Sequence, residues 1–205
     1  MKIGVDFDGV IIDYERVMSD NARFHNLFVL KKDDKEDKSK FFYLDRFNWT
    51  KEEKDEFMKI YSKDATMSSP VIPYAKFGID YLKSIGCELD CITARGGFNK
   101  NIFWYVLERL KSESISFDKI FFSAGNKVEV CLSENIDYMI EDNPGNCRVL
   151  INNGIKCLYL NTSHGEHLDE SEYVIEFDSW IEICEFVSKK LNKSVVYTLK
   201  NNYNN

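Results

Sequence analysis

Short apolar runs alternate with amphipathic stretches along this chain. Residues 2–5 are apolar and stop at Asp6, the pattern of a short buried strand. Four more runs share this character, at 88–93 (ELDCIT), 119–123 (KIFFS), 137–140 (DYMI) and 156–160 (KCLYL), with a weaker edge candidate at 173–175. Between them lie stretches of helical period. Residues 74–85 place Phe77, Tyr81, Leu82 and Ile85 on one face and end at Gly86. Residues 100–111 repeat the pattern with Ile102, Phe103, Val106, Leu107 and Leu110. Shorter helices are predicted at 127–132 and, after Asn143, at 144–152. A last helix is predicted at 180–191, followed by an asparagine-rich tail expected to fray.

Strands alternating with helices predict βαβ units: an α/β fold with a Rossmann-like, largely parallel sheet and helices on both faces. One segment departs from that rhythm. Residues 14–70 contain no strand pattern, but two helix-like pieces, at 15–29 and 51–61, flank a mixed-sign run at 30–40 (LKKDDKEDKSK) read as a solvated loop. The segment is far longer than an ordinary connection. It is expected to form a small helical cap, or lid, inserted after the first strand, dividing the chain into a core of 1–13 and 71–205 and a cap of 14–70.

Composition narrows the partners. Of the 205 residues, 44% are hydrophobic and 14% aromatic, enough for a substantial core. The net charge of −7 disfavours long nucleic acids, whose affinity rests on phosphate contacts. A small anion remains compatible if a cation stands between. No apolar run approaches the roughly 20 residues needed to span a bilayer, and Asp6 and Asp8 interrupt the N-terminal apolar stretch, unlike a secretory signal. The six cysteines form no CxxC pair and lie mostly in apolar segments, as buried thiols of a reducing compartment do. A cytoplasmic location is expected.

In open parallel sheets, ligands gather at the carboxyl ends of the strands. The first candidate strand ends in VDFDGV. Asp6 and Asp8, two apart in extended chain, point to one side unless the chain bends, and Gly9 permits a tight turn. Two carboxylates together call for a cation or a proton between them. The second ends in CITARGG, where Thr93 offers a hydroxyl and the amides of Ala94 and Arg95 could face an anion. Lys127 opens the helix after the third strand, an unfavourable place for a lysine with respect to the helix dipole. The fourth ends in MIEDNPGN, with Glu141 and Asp142 adjacent. Oxygen-only ligation by such acids suits Mg²⁺.

Asp-x-Asp-Gly, then Thr, then Lys, then an acidic pair, each after a strand, resembles the haloacid dehalogenase superfamily of aspartate-nucleophile phosphohydrolases. The likeness covers 1–13 and about 71–190. The pieces DFDGVIIDYE, ITARGG and IEDNPGN look most like its branch of 5′(3′)-deoxyribonucleotidases and related nucleotidases. The resemblance implies a Mg²⁺-dependent phosphomonoesterase acting on a small phosphomonoester, with a nucleoside monophosphate favoured. It implies that Asp6 is the nucleophile, that Asp8 is the acid and base and lends mainly its backbone carbonyl to the metal, and that Asp142 and Glu141 complete the metal shell. Thr93 and the Ala94 amide would hold phosphate oxygens, and Lys127 would offset charge. Many relatives carry glycine-aspartate or two aspartates where this chain has Glu141-Asp142, so which acid ligates directly stays open. The pair also occurs in phosphomutase-like members, so a phosphotransferase is the alternative, and a non-catalytic phosphate- or metal-binding module a third reading.

Arg95 could touch the substrate. Phe41, Phe42, Tyr43, Phe47 and Trp49 could stack on a base, Trp49 being the chosen candidate, but the favoured reading is that they form the inserted segment's own core. His164 and His167 are read as parts of a surface loop.

Overall fold

The structure is a computed structural model that describes residues 1–96, 101–122, 125–161, 166–169 and 171–193. Its centre is a six-stranded sheet of β1 (Lys2–Val5), β2 (Glu88–Ile92), β3 (Lys119–Phe121), β4 (Tyr138–Glu141), β5 (Cys157–Leu160) and β6 (Val174–Phe177). The strands run in the order β3-β2-β1-β4-β5-β6, with every neighbouring pair parallel. The helices are α1 (Tyr14–Phe24), α2 (Lys51–Ser68), α3 (Ala75–Ser84), α4 (Asn101–Ser112), α5 (Lys127–Ser133), α6 (Pro144–Ile151) and α7 (Trp180–Lys190). This is the expected α/β fold, with β1 in the middle of the sheet.

Alternation along the strands explains why both faces are covered. In β5, Leu158 and Leu160 join the core built with α3 and α7, whereas Cys157 and Tyr159 join the one built with α5 and α6. In β4, Ile140 and Met139 divide the same way. Such strands are apolar on both faces, which is why they read as continuous runs. All six cysteines are buried and free. Among the described residues, no helix is long and apolar enough to cross a membrane.

Three local departures have physical causes. The helix expected over 15–29 divides at Phe24, and His25–Val29 continue as a π-helical turn. α2 runs to Ser68, seven residues beyond the expected 61. Its start carries a capping box, Thr50 with Glu53, a sequence signal that the periodicity argument did not use. The run at 30–40 has no regular structure, but it is not simply solvated. Lys32, Asp34 and Glu36 are half-buried while Lys31, Asp33 and Lys35 are exposed. Glu36 pairs with Arg23 at 2.8 Å and Lys32 with Glu53 at 2.8 Å, which fastens this strap to α1 and α2.

Segment 14–68 leaves and rejoins the sheet through adjacent chains. Asp13 N donates to Pro70 O at 2.9 Å and Ile72 N to Ile11 O at 2.8 Å, with Ile12 and Val71 forming an antiparallel bridge. Trp180 of α7 anchors this junction, its indole donating to Val10 O at 2.8 Å. The indole packs so closely on Gly78 that a Cβ there would come within 2.4 Å of the ring.

Candidate active site

Four strand ends meet at one edge of the sheet. Asp6 follows β1 and is fixed by its amide, which donates to Ile140 O of β4 at 3.0 Å. The chain then turns sharply. Gly9 has φ +70°, and a Cβ on it would lie 1.8 Å from a carboxylate oxygen of Asp142. Both the left-handed backbone and the close approach of Asp142 require glycine here.

Asp6, Glu141 and Asp142 are all buried, and each brings a carboxylate oxygen within 4.8 Å of the others. Lys127, at the start of α5, is also buried. Its ammonium lies 2.9 Å from Asp6 Oδ1 and 2.6 Å from Glu141 Oε2. The dipole-mismatched position of Lys127 is thus explained by two carboxylates facing it. Glu141 Oε1 accepts from Asn143 N at 3.1 Å and from Asn146 Nδ2 at 3.2 Å. Asn143 in turn caps α6, accepting from the amides of Gly145 and Asn146.

Within the cluster three carboxylates face one ammonium, and burial disfavours the charged forms of Asp6 and Asp142. It pushes the Asp6 carboxyl up to about 7 against the downward pull of Lys127. Asp142 is raised well above the carboxylate range, first by burial and then by Glu141 and Asp6. A compact set of hard oxygen donors with excess negative charge fits a divalent cation such as Mg²⁺.

Thr93, after β2, is buried; its amide donates to Phe121 O at 3.0 Å and its hydroxyl accepts from Arg95 N at 3.2 Å. Ala94 beside it is exposed. Asp8, on the β1 loop, does not join the Asp6–Glu141–Asp142 group. Its two oxygens instead each accept from Arg95, at 2.6 Å. The i, i+2 spacing implied a shared direction for an extended chain; the chain bends at Phe7, and the guanidinium holds the second carboxylate elsewhere.

The geometry bears on two expectations about substrate contacts. Arg95 has all three side-chain nitrogens engaged, two with Asp8 and the third with Thr66 of α2 at 2.6 Å. Trp49 lies in the core of the helical segment, stacked on Phe47 at 5.4 Å and packed against His25 and Phe57. Its indole donates to Asn26 Oδ1 at 2.8 Å. A segment this small uses its aromatics to fold. His167 is exposed and pairs with Glu176, as a surface-loop residue does, and His164 lies outside the described residues. A cleft of about 610 Å³ opens beside the linkers, between Asp13, Arg16, Arg46, Tyr74 and Ser179, and the strand-tip residues are not among its walls.

No protein-family model matches the chain, and no curated protein matches it by sequence. Solved structures do match in shape. A haloacid dehalogenase-like hydrolase from Streptococcus pneumoniae aligns at TM-score 0.67 and 16% identity, over 91% of this chain and 97% of that one. A predicted phosphatase from Clostridium acetobutylicum aligns at TM-score 0.66 and 14% identity, over 92% and 98%. The D,D-heptose 1,7-bisphosphate phosphatase of B. bronchiseptica, solved with magnesium and phosphate, aligns at TM-score 0.56 and 12% identity, over 93% and 99%. At such identities the likeness carries the fold, and that fold is the Rossmann-like α/β fold of the haloacid dehalogenase-type hydrolases.

Proposed function

We propose that the protein is a Mg²⁺-dependent phosphomonoesterase that works through an aspartyl-phosphate on Asp6. The observation that carries this reading is the buried set of Asp6, Glu141 and Asp142 around Lys127, at the strand ends where such folds bind ligands. The magnesium and phosphate in one similar phosphatase support it.

In this reading, Asp6 and Asp142 with the Asp8 backbone carbonyl hold the cation. Glu141, already bound by Lys127, Asn143 and Asn146, orients that lysine and lines the back of the site. The bound cation would keep Asp6 ionised and offset the charge of the phosphoryl group. A carboxylate oxygen of Asp6 attacks phosphorus as the ester P–O bond breaks, and Asp8, protonated on an oxygen released from Arg95, gives that proton to the leaving oxygen. Water then attacks the same phosphorus and passes a proton to Asp8. The bond to Asp6 breaks, releasing phosphate and restoring both side chains. Thr93 Oγ1 and the Ala94 amide hold phosphoryl oxygens, and Lys127 offsets charge between them and Asp6.

Segment 14–70 acts as the lid and carries substrate choice. The burial of Trp49 removes the strongest structural argument for base stacking, so nucleoside monophosphates rest on the motif likeness alone. Sugar phosphates, as substrates of a phosphatase or a mutase, are the second reading, favoured by the Glu141-Asp142 pair. A screen of deoxynucleoside monophosphates against hexose and pentose phosphates with Mg²⁺ tests the choice. Dependence of turnover on a sugar bisphosphate identifies a mutase. Six buried free thiols suit a reducing cytoplasm.

A further inference from the structure

We propose that Arg95 is a positioning residue that sets the direction of the Asp8 carboxylate, and that α2 in turn sets Arg95. The inference rests on the phosphatase reading above, because it concerns the group that moves the proton there.

The guanidinium joins three parts of the chain. Nε and Nη2 form a two-pronged pair with Asp8, 2.6 Å to each oxygen. A planar fork of this kind fixes orientation as well as distance, which a lysine cannot do. Nη1 donates to Thr66 Oγ1 at 2.6 Å. That hydroxyl spends its own proton on Ser62 O at 2.6 Å, so its lone pairs face the arginine. The guanidinium carbon sits 4.0 Å from the ring centre of Tyr14, the first residue of α1, and 5.2 Å from that of Phe7. The arginine side chain is only 10% exposed, so these partners rather than water determine its position.

The consequence for Asp8 is visible at the strand tips. Among the described residues, the carboxylates close enough to share a cation are Asp6, Glu141 and Asp142; Asp8 is held out of that group. Arg95 thereby separates a nucleophile facing the cation site from a second carboxylate facing another way. Thr66 stands in the last turn of α2, just before the chain returns to the sheet at Val71. Any displacement of α2 therefore moves the third anchor of the group that holds Asp8. Three of its five N–H groups are spent on Asp8 and Thr66, so Arg95 acts on the reaction through Asp8.

Partition between the two half-reactions tests this, with 2,4-dinitrophenyl phosphate and Mg²⁺. Dinitrophenolate departs without a proton, so attack by Asp6 proceeds whatever the state of Asp8, whereas hydrolysis of the aspartyl-phosphate needs Asp8 correctly placed. For Arg95→Met the expected result is a burst of about one dinitrophenolate per protein, followed by steady turnover about 100-fold below wild type, with KM lowered about as far so that kcat/KM is little changed. Arg95→Lys behaves like Arg95→Met, since it lacks the fork. Thr66→Val, outside the strand tips, gives a smaller loss of the same kind and carries the test if Arg95→Met does not fold. A raised KM without a burst, or wild-type kinetics in both variants, overturns the inference and leaves the phosphatase reading intact. Absence of any turnover in wild type overturns both.

Discussion

The ammonium of Lys127 lies 2.6 Å from Glu141 and 2.9 Å from Asp6, so one buried cation ties the tip of β4 to the tip of β1. Removing one member of such a buried group leaves uncompensated charge, at a cost of about 3–5 kcal/mol. Lys127→Met is expected to lose that much in urea unfolding at neutral pH. Lys127→Met combined with Glu141→Gln is expected to recover part of the loss, since one stranded carboxylate is then neutral. A single variant as stable as wild type contradicts the pairing.

Cation binding has a readout that needs no substrate. A ligand bound only by the folded protein stabilises it by about 2.7 kcal/mol at 100 times its Kd. Mg²⁺ is expected to raise the wild-type melting temperature and to leave that of Asp142→Ala nearly unmoved. Equal shifts in the two proteins would place the ion elsewhere.

Trp49 separates a structural role from substrate stacking. Trp49→Phe keeps most of the ring contacts with Phe47 and Phe57 but strands the buried Asn26 oxygen. The expected cost is about 1–3 kcal/mol of stability, with KM for phosphomonoesters unchanged. A large rise in KM at unchanged stability would restore the stacking role.

The inner strands were legible because they are short, largely apolar and ended by a polar tip; β1 matches its expected limits residue for residue. The strand-tip acids, Thr93 and Lys127 followed from the rule about carboxyl ends. What was not legible depends on contacts between distant segments. Nothing near Arg95 in sequence names Asp8, 87 positions away, or Thr66, 29 positions away, as its partners. The direction of Asp8 depends on whether the chain bends after Asp6, and the bend at Phe7 has no marker in the sequence. The aromatics of 41–49 read as the segment's own core ahead of a base platform; burial, which sequence does not show, decides for Trp49.

His25 gives a pH dependence with a definite sign. It is fully buried among Trp49, Phe57 and Tyr61, and neither ring nitrogen has a hydrogen-bond partner among the described residues. Burial lowers its pKa below 6.5, against the weaker upward pull of Glu56 and Glu53. A histidine that folds neutral contributes fully above its unfolded value of about 6.5, and that contribution is lost as pH falls toward the folded value. Wild type is therefore expected to lose stability below pH about 6.5 through this group. His25→Leu removes that part of the slope and equals or exceeds wild type in mildly acid buffer. Parallel stability curves for the two proteins across this range would contradict it.

The central claim is that Asp6 is a phosphoryl-accepting nucleophile beside a cation site. Its most direct measurement is p-nitrophenyl phosphate hydrolysis by wild type with Mg²⁺, by wild type with EDTA, and by folded Asp6→Asn with Mg²⁺. The account predicts turnover in the first case and none above background in the other two. Undiminished hydrolysis by Asp6→Asn, or no hydrolysis by wild type with Mg²⁺, would contradict it.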